Sequence, residues 1–251
     1  MKNPLALRRM IAPSIEDIDL FNLEMSIDKP LKAESDLDNH LDLVIDKPWG
    51  YEYRIYADNF YDIWKLVIFP GHATSMHCHP RKETVLLCLS GRGEARFLKD
   101  TLPISELGMV HIKKGVFHLT ENVGDENLHL IEIETPRNKL DLVRASDQYG
   151  RKGTAYETKN RFVHLPEMRI SDDVCGAKLR ANDISGNYSF GLESGKDILD
   201  QTTARLLFAV SLDLNHAFKH DIHVLSGESL SDATVSSAQF YFTVADQKSI
   251  S

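Results

Sequence analysis

Two short blocks hold the side chains best suited to chemistry: Gly71-His-Ala-Thr-Ser-Met-His77-Cys-His79-Pro-Arg-Lys-Glu83 and Gly115-Val-Phe-His118-Leu-Thr-Glu-Asn122. His77 and His79 are two apart, so on a β-strand their imidazoles project from the same face. Glu83 opens the apolar run Thr84-Val-Leu-Leu-Cys-Leu89, which reads as a strand ended by Ser90-Gly91. His118 follows a glycine turn and can return beside the first group on a neighbouring strand. Three imidazoles and a carboxylate converging in a barrel would suit a divalent transition metal (Zn, Mn, Fe, Ni or Co), with coordination positions left open. The chain has 11 histidines, and a solitary strand histidine is ordinarily a hydrogen-bonded structural residue. The weight rests on the combination of His-x-His, a downstream Glu, a turn glycine and a second His block.

Those residues resemble the cupin superfamily. Gly71-x5-His77-x-His79-x3-Glu83-x7-Gly91 is similar to its first motif, and Gly115-x2-His118-x3-Asn122 to its second. The gap from Glu83 to Gly91 is one residue longer than is usual in that motif, and Lys113 stands where a proline is common. Neither departure falls on an expected ligand. The resemblance implies an all-β fold, a cupin double-stranded β-helix (jelly roll) with a metal in its mouth held by His77, His79, Glu83 and His118.

Three stretches frame these motifs. Tyr61–Phe69 reads as a strand stopped by Pro70-Gly71, Arg92-Gly-Glu-Ala-Arg96-Phe-Leu-Lys-Asp100 as a hairpin strand and turn, and Asn127–Thr135 as an alternating strand. In the last, His129, Ile131 and Ile133 share one face, and Leu128, Leu130, Glu132 and Glu134 share the other. His129 reads as structural and Glu132 as a solvated strand residue. Cys78 should point away from its flanking histidines as a packed residue. Lys65 would either face the cavity, as an anion or carbonyl contact, or snorkel outward.

The chain of 251 residues divides into an N-terminal arm (1–45), the barrel (46–151) and a β-rich C-terminal extension (152–251). In the arm, Ser14 followed by Glu16 and Asp17 predicts a capped helix. The extension reads either as a degenerate second cupin without a metal or as strands that complete the barrel or form a subunit interface. His216, His220 and His223 there do not reproduce the first pattern.

Net charge is −8 and the pI is about 5.8. That argues against a nucleic-acid binder, which would carry a basic stripe. Three cysteines form no disulfide framework, and no run has signal-peptide or membrane-spanning length, so a cytoplasmic location is expected.

A narrower resemblance, over residues 46–151, is to the cupin module of mannose-6-phosphate isomerases and of the bifunctional enzymes that add a mannose-1-phosphate guanylyltransferase domain. It rests on Lys47-Pro-Trp-Gly-Tyr-Glu52 and on Asp141-Leu-Val-Arg144-Ala-Ser-Asp-Gln-Tyr149-Gly-Arg151. It implies a small-molecule substrate that is a phosphorylated or nucleotide-linked sugar, and a homodimer joined through barrel edges or the flanking segments is expected. Aldose–ketose isomerisation or epimerisation would use the metal as Lewis acid and a base such as Lys65 or a metal-borne hydroxide. Arg137 or Lys139 could meet a phosphate. Two alternatives remain open: an iron-dependent dioxygenase, and a sugar-binding module without turnover.

Overall fold

The computed structural model describes residues 8–26, 44–137, 141–146, 149, 160–161, 168–170, 177–200, 205–219, 221–226, 230 and 234–247. Strand β1 (Arg8–Ile11) and helix α1 (Ile15–Ser26) come first. The barrel strands follow: β2 (Val44–Lys47), β3 (Gly50–Ala57), β4 (Asp62–Ile68), β5 (Met76–Cys78), β6 (Glu83–Ser90), β7 (Arg92–Phe97), β8 (Thr101–Ser105), β9 (Met109–Ile112), β10 (His118–Asn122), β11 (Leu128–Thr135) and β12 (Val143–Ser146). Beyond them lie β13 (Asn160–Arg161), β14 (Met168–Ile170), β15 (Lys178–Arg180), β16 (Tyr188–Ser194), α2 (Gly195–Asp200), β17 (Arg205–Ser211), α3 (Leu214–Phe218), β18 (Val224–Ser226) and β19 (Phe240–Asp246).

A 10-stranded sheet runs β1-β9-β6-β11-β4-β3-β15-β14, with β2 on β3 and β13 on β2. A 5-stranded sheet, β12-β5-β10-β7-β8, faces it and closes the jelly roll. Strand parity sorts the large sheet into two cores. Trp64, Leu66, Ile68, Leu86, Cys88, Leu128 and Leu130 pack with Ala95 and Ile104 of the small sheet, inside the roll. Tyr53, Ile63, Val85, Leu87, Leu89, Ile131 and Ile133 have the opposite parity and pack outside it. Their partners are Phe190, Leu207, Phe208, Phe242 and Val244, from a third sheet ordered β16-β19-β17-β18. A sheet buried on both faces is why β4 and β6 read as continuous apolar runs rather than as alternating ones.

The C-terminal extension therefore serves the barrel in two ways among the described residues. β13 and β15 extend the large sheet through β2 and β3, while the third sheet covers its outer face. His216 lies in α3 and its ring stacks on that of His223, with centroids 5.2 Å apart; His220 and Cys175 lie outside the described residues.

The predicted arm helix is present. Ser14 Oγ accepts from the Asp17 amide, and the Asp17 carboxylate accepts from the Ser14 amide and hydroxyl, a reciprocal cap with Asp in the usual Glu position. The other Asp17 oxygen accepts from the Phe117 amide at 2.7 Å, so the cap also ties the helix to the residue before His118. No helix among the described residues is long and apolar enough to cross a membrane.

Two glycines are required by geometry. At Gly50 (φ +149°) a Cβ would stand 1.9 Å from the Val67 carbonyl oxygen, which no side chain can survive. Gly115 takes φ +78°, the left-handed region, in the turn leading to His118, and its amide donates to the His79 carbonyl at 2.9 Å.

Candidate metal centre

His77 sits on β5, His79 just past its end, and His118 at the start of β10, directly opposite His77 in the antiparallel ladder. The three ring nitrogens able to ligate lie within 4.8 Å of one another, and all three rings meet at centroid distances of 4.5 to 5.7 Å. Backbone carbonyls hold each ring from behind. Nδ1 of His77 donates to Ser75 O (2.7 Å), that of His79 to Asp141 O (2.6 Å), and that of His118 to Val116 O (3.0 Å).

A carbonyl only accepts, so each Nδ1 carries the proton and each neutral ring presents the lone pair of Nε2. Nε2 of His118 is buried and has no hydrogen-bond partner among the described residues. Three imidazoles oriented in this way by outer hydrogen bonds present, in their neutral form, the donor chemistry of a transition-metal site. Burial, and then the neighbouring His118 and His79 rings, hold His77 well below the ordinary imidazole range; burial also lowers His118. Both are thereby kept in the neutral, ligating form.

Glu83 is not brought to this cluster. It shares the parity of Val85, Leu87 and Leu89, which pack in the outer core, whereas Thr84, Leu86 and Cys88 have the inner parity. Its Oε2 accepts from His111 Nε2 and Lys113 Nζ, both at 2.8 Å. The physical reason is the extra residue between Glu83 and Gly91. In a strand, one added position reverses the face, and Thr84 occupies the inward place.

Lys65 is not at the cavity either. On β4 it alternates with inward Trp64 and Leu66 and points to the outer core, where its Nζ lies 3.3 Å from Asp183 Oδ1 and 4.7 Å from the Tyr188 ring centroid. The side chain is fully buried, and that burial lowers its pKa. Arg137 donates to the Asp58 carbonyl at 3.4 Å; Lys139 lies outside the described residues. Cys78 packs with Phe117 and Ala145 rather than joining the imidazoles, and burial pushes its thiol up to about 12.

The carboxylates at the imidazoles come instead from β11. Glu132 and Glu134 are buried, and each offers an oxygen within 4.8 Å of a His79 nitrogen. Glu134 Oε1 is 3.7 Å from His79 Nε2 and accepts from Lys82 Nζ at 2.5 Å. The alternation of β11 already held the signal. Leu128, Leu130, Glu132 and Glu134 share a face, and the two leucines belong inside the roll, so the two carboxylates do too.

A cavity of about 70 Å³ opens beside the cluster, lined among others by Lys47, Glu52, His77, His79, Lys82, Glu132, Glu134 and Arg144. Lys47 lies 3.7 Å from Glu52. Arg144, paired with His77 across β12 and β5, donates to Ser75 Oγ at 3.1 Å. Asp141 Oδ2 accepts from the Arg81 and Lys82 amides (2.7 and 2.9 Å), which fixes the loop carrying His79.

A double-stranded β-helix with a histidine cluster and carboxylates in its mouth defines a cupin. Residues 33–147 match the family model described as Mannose-6-phosphate isomerase C-terminal. The mannose-1-phosphate guanylyltransferase ManC of Salmonella typhimurium is 26% identical over 123 residues, 48% of this chain and 26% of that protein. The xanthan biosynthesis protein XanB of Xanthomonas campestris pv. campestris is 28% identical over 107 residues, 42% of this chain and 23% of its own. The chain thus spans about a quarter of the length of these relatives. Among solved structures, an uncharacterized conserved protein with a double-stranded β-helix domain from Klebsiella pneumoniae is 18% identical, covering 47% of this chain and 100% of that one with a TM-score of 0.36.

Proposed function

We propose that the chain is a metal-dependent cupin acting on a phosphorylated or nucleotide-linked sugar, and that its reaction is aldose–ketose isomerisation or epimerisation of the mannose-6-phosphate isomerase kind. The observation that carries this reading is the set of three imidazoles, each held at Nδ1 by a backbone carbonyl, facing a cavity with carboxylates and cations on its wall. His77, His79 and His118 hold the ion together with a carboxylate from β11. When bound, the ion supplies Lewis-acid polarisation of a sugar carbonyl oxygen.

Glu132 moves the proton. Its carboxylate takes the proton from the hydroxyl-bearing carbon beside the carbonyl and returns it to the former carbonyl carbon. The proton of that hydroxyl passes to the former carbonyl oxygen, so that the carbonyl moves by one carbon with no net change in charge or oxidation state. A positioned base of this kind contributes about 10²–10⁴-fold in rate. Lys47 and Arg144 supply positive charge for a phosphate, and Arg144 offers the planar fork suited to it. The relatives' guanylyl transfer is not part of the proposal, because the match covers only about a quarter of their length.

The test is conversion of mannose 6-phosphate to fructose 6-phosphate by protein loaded with Zn, Mn, Co or Ni. Turnover that falls about 10²–10⁴-fold in Glu132→Gln, at unchanged metal content, supports the reading. Tight sugar-phosphate binding without turnover would replace it with the binding module, and oxygen uptake by the iron form would replace it with the dioxygenase.

A further inference from the structure

We infer that Glu134 is the carboxylate ligand of the metal and Lys82 the residue that positions it, in place of the carboxylate of the first histidine block. The inference deepens the metal reading above and rests on it. Glu83 has the outward parity and is held by His111 and Lys113. The inward position next to it is Thr84, whose hydroxyl cannot replace a carboxylate charge.

Glu134 lies on the inward face of β11, about 1% exposed, with Oε1 3.7 Å from His79 Nε2. Two donors sharing one ion at about 2.0–2.2 Å stand about 3–3.5 Å apart, so Glu134 and His79 need a shift of only a few tenths of an ångström, and a turn of the Glu134 side chain toward His77 and His118 completes the set. Ligating carboxylates are themselves hydrogen-bonded, and Lys82 Nζ donates at 2.5 Å to the same Glu134 Oε1 that faces His79, fixing where that oxygen stands. Asp141 in turn fixes the backbone of Lys82. His79 and Lys82 thus leave one short loop toward the same carboxylate, and Glu132 is left to the substrate.

Co(II) added to chelator-stripped protein, followed by its visible absorption in competition with a chelator of known affinity, tests this directly. Glu134→Gln is expected to weaken Co(II) binding about 100-fold or more, Lys82→Met about 10–100-fold, and Glu83→Gln less than about threefold. Because Glu134→Gln removes a buried partner of Lys82 and can unfold the protein, anomalous diffraction from Co(II)-loaded wild-type crystals gives a second readout without a variant. A Glu134 oxygen in the coordination sphere is the expected result. A Glu83 or Glu132 oxygen there, or unaltered affinity in a folded Glu134→Gln, overturns the inference while the histidine site stands. Failure of the wild type itself to take up Co(II) overturns the metal reading with it.

Discussion

His118 stands directly across the β5–β10 ladder from His77, their ring centroids 4.5 Å apart. Backbone pairing therefore fixes the distance between two of the three imidazoles. The third, His79, lies past the end of β5, and its position depends on what holds that loop: Asp141, whose carbonyl accepts from the ring and whose carboxylate accepts from Arg81 and Lys82.

Asp141→Ala should accordingly loosen the loop and leave the ladder intact. The expected outcome is metal affinity lowered about 10–100-fold with an unaltered far-ultraviolet spectrum, measured by metal titration and circular dichroism.

The lowered pKa values of His77 and His118 give the metal-stripped protein a defined pH response. In the unfolded chain these rings titrate near about 6.5, and in the fold they titrate lower. Between the two values the unfolded state binds more protons, so stability rises with pH there and is lost as pH falls below about 6.5. Above that pH both states are neutral and these groups add no slope. Denaturant midpoints at several pH values should show a decline below about pH 6.5, with a slope of up to about 1.4 kcal/mol per pH unit for each ring, and a shallower one in His77→Ala/His118→Ala.

Lys65 and Asp183 form a buried pair between the large sheet and the C-terminal segment, with the Tyr53 hydroxyl also bonded to Asp183 Oδ1. Burial is the largest influence on Asp183 and raises it. The Lys65 charge and the hydrogen bonds from Ser185, Tyr53 and Lys65 together outweigh that and leave it lowered. Asp183→Asn strands the Lys65 charge and should cost about 3–5 kcal/mol in chemical denaturation, while Lys65→Met/Asp183→Leu should cost much less. Neither should change Co(II) affinity, since the pair faces away from the cavity.

Asp17 joins the arm to the site. Asp17→Ala removes the carboxylate half of the reciprocal cap and the acceptor for the Phe117 amide, leaving Ser14 Oγ on the residue 17 amide, and should cost about 1–2 kcal/mol by thermal or urea denaturation. The same variant should bind Co(II) like the wild type, because the Nδ1 of His118 is held by Val116 rather than by the arm.

Much of the barrel was legible because its signals are local. Ser14 and Asp17 mark the helix, Pro70-Gly71 and Ser90-Gly91 end strands, and the His-x-His spacing and the Gly115 turn bring His77, His79 and His118 together. The carboxylates were misread because their placement depends on parity, and parity depends on a count. One extra residue before Gly91 sends Glu83 to the outer face, so resemblance to a motif with the usual count pointed to the wrong residue. Glu132 and Glu134 were readable from the inward leucines of β11, yet polar residues late in a strand resemble a solvated edge. Lys65 looked accessible to a substrate because nothing local reveals that a third sheet, formed more than a hundred residues later, covers that face.

The central claim is that His77, His79 and His118 hold one ion. Its most direct test is metal quantification after equilibrium dialysis of stripped wild-type and His118→Ala proteins against Co(II) or Zn(II). About one equivalent bound by the wild type and none by a folded His118→Ala is the predicted result. Equal occupancy in the two proteins, or none in the wild type, would contradict it.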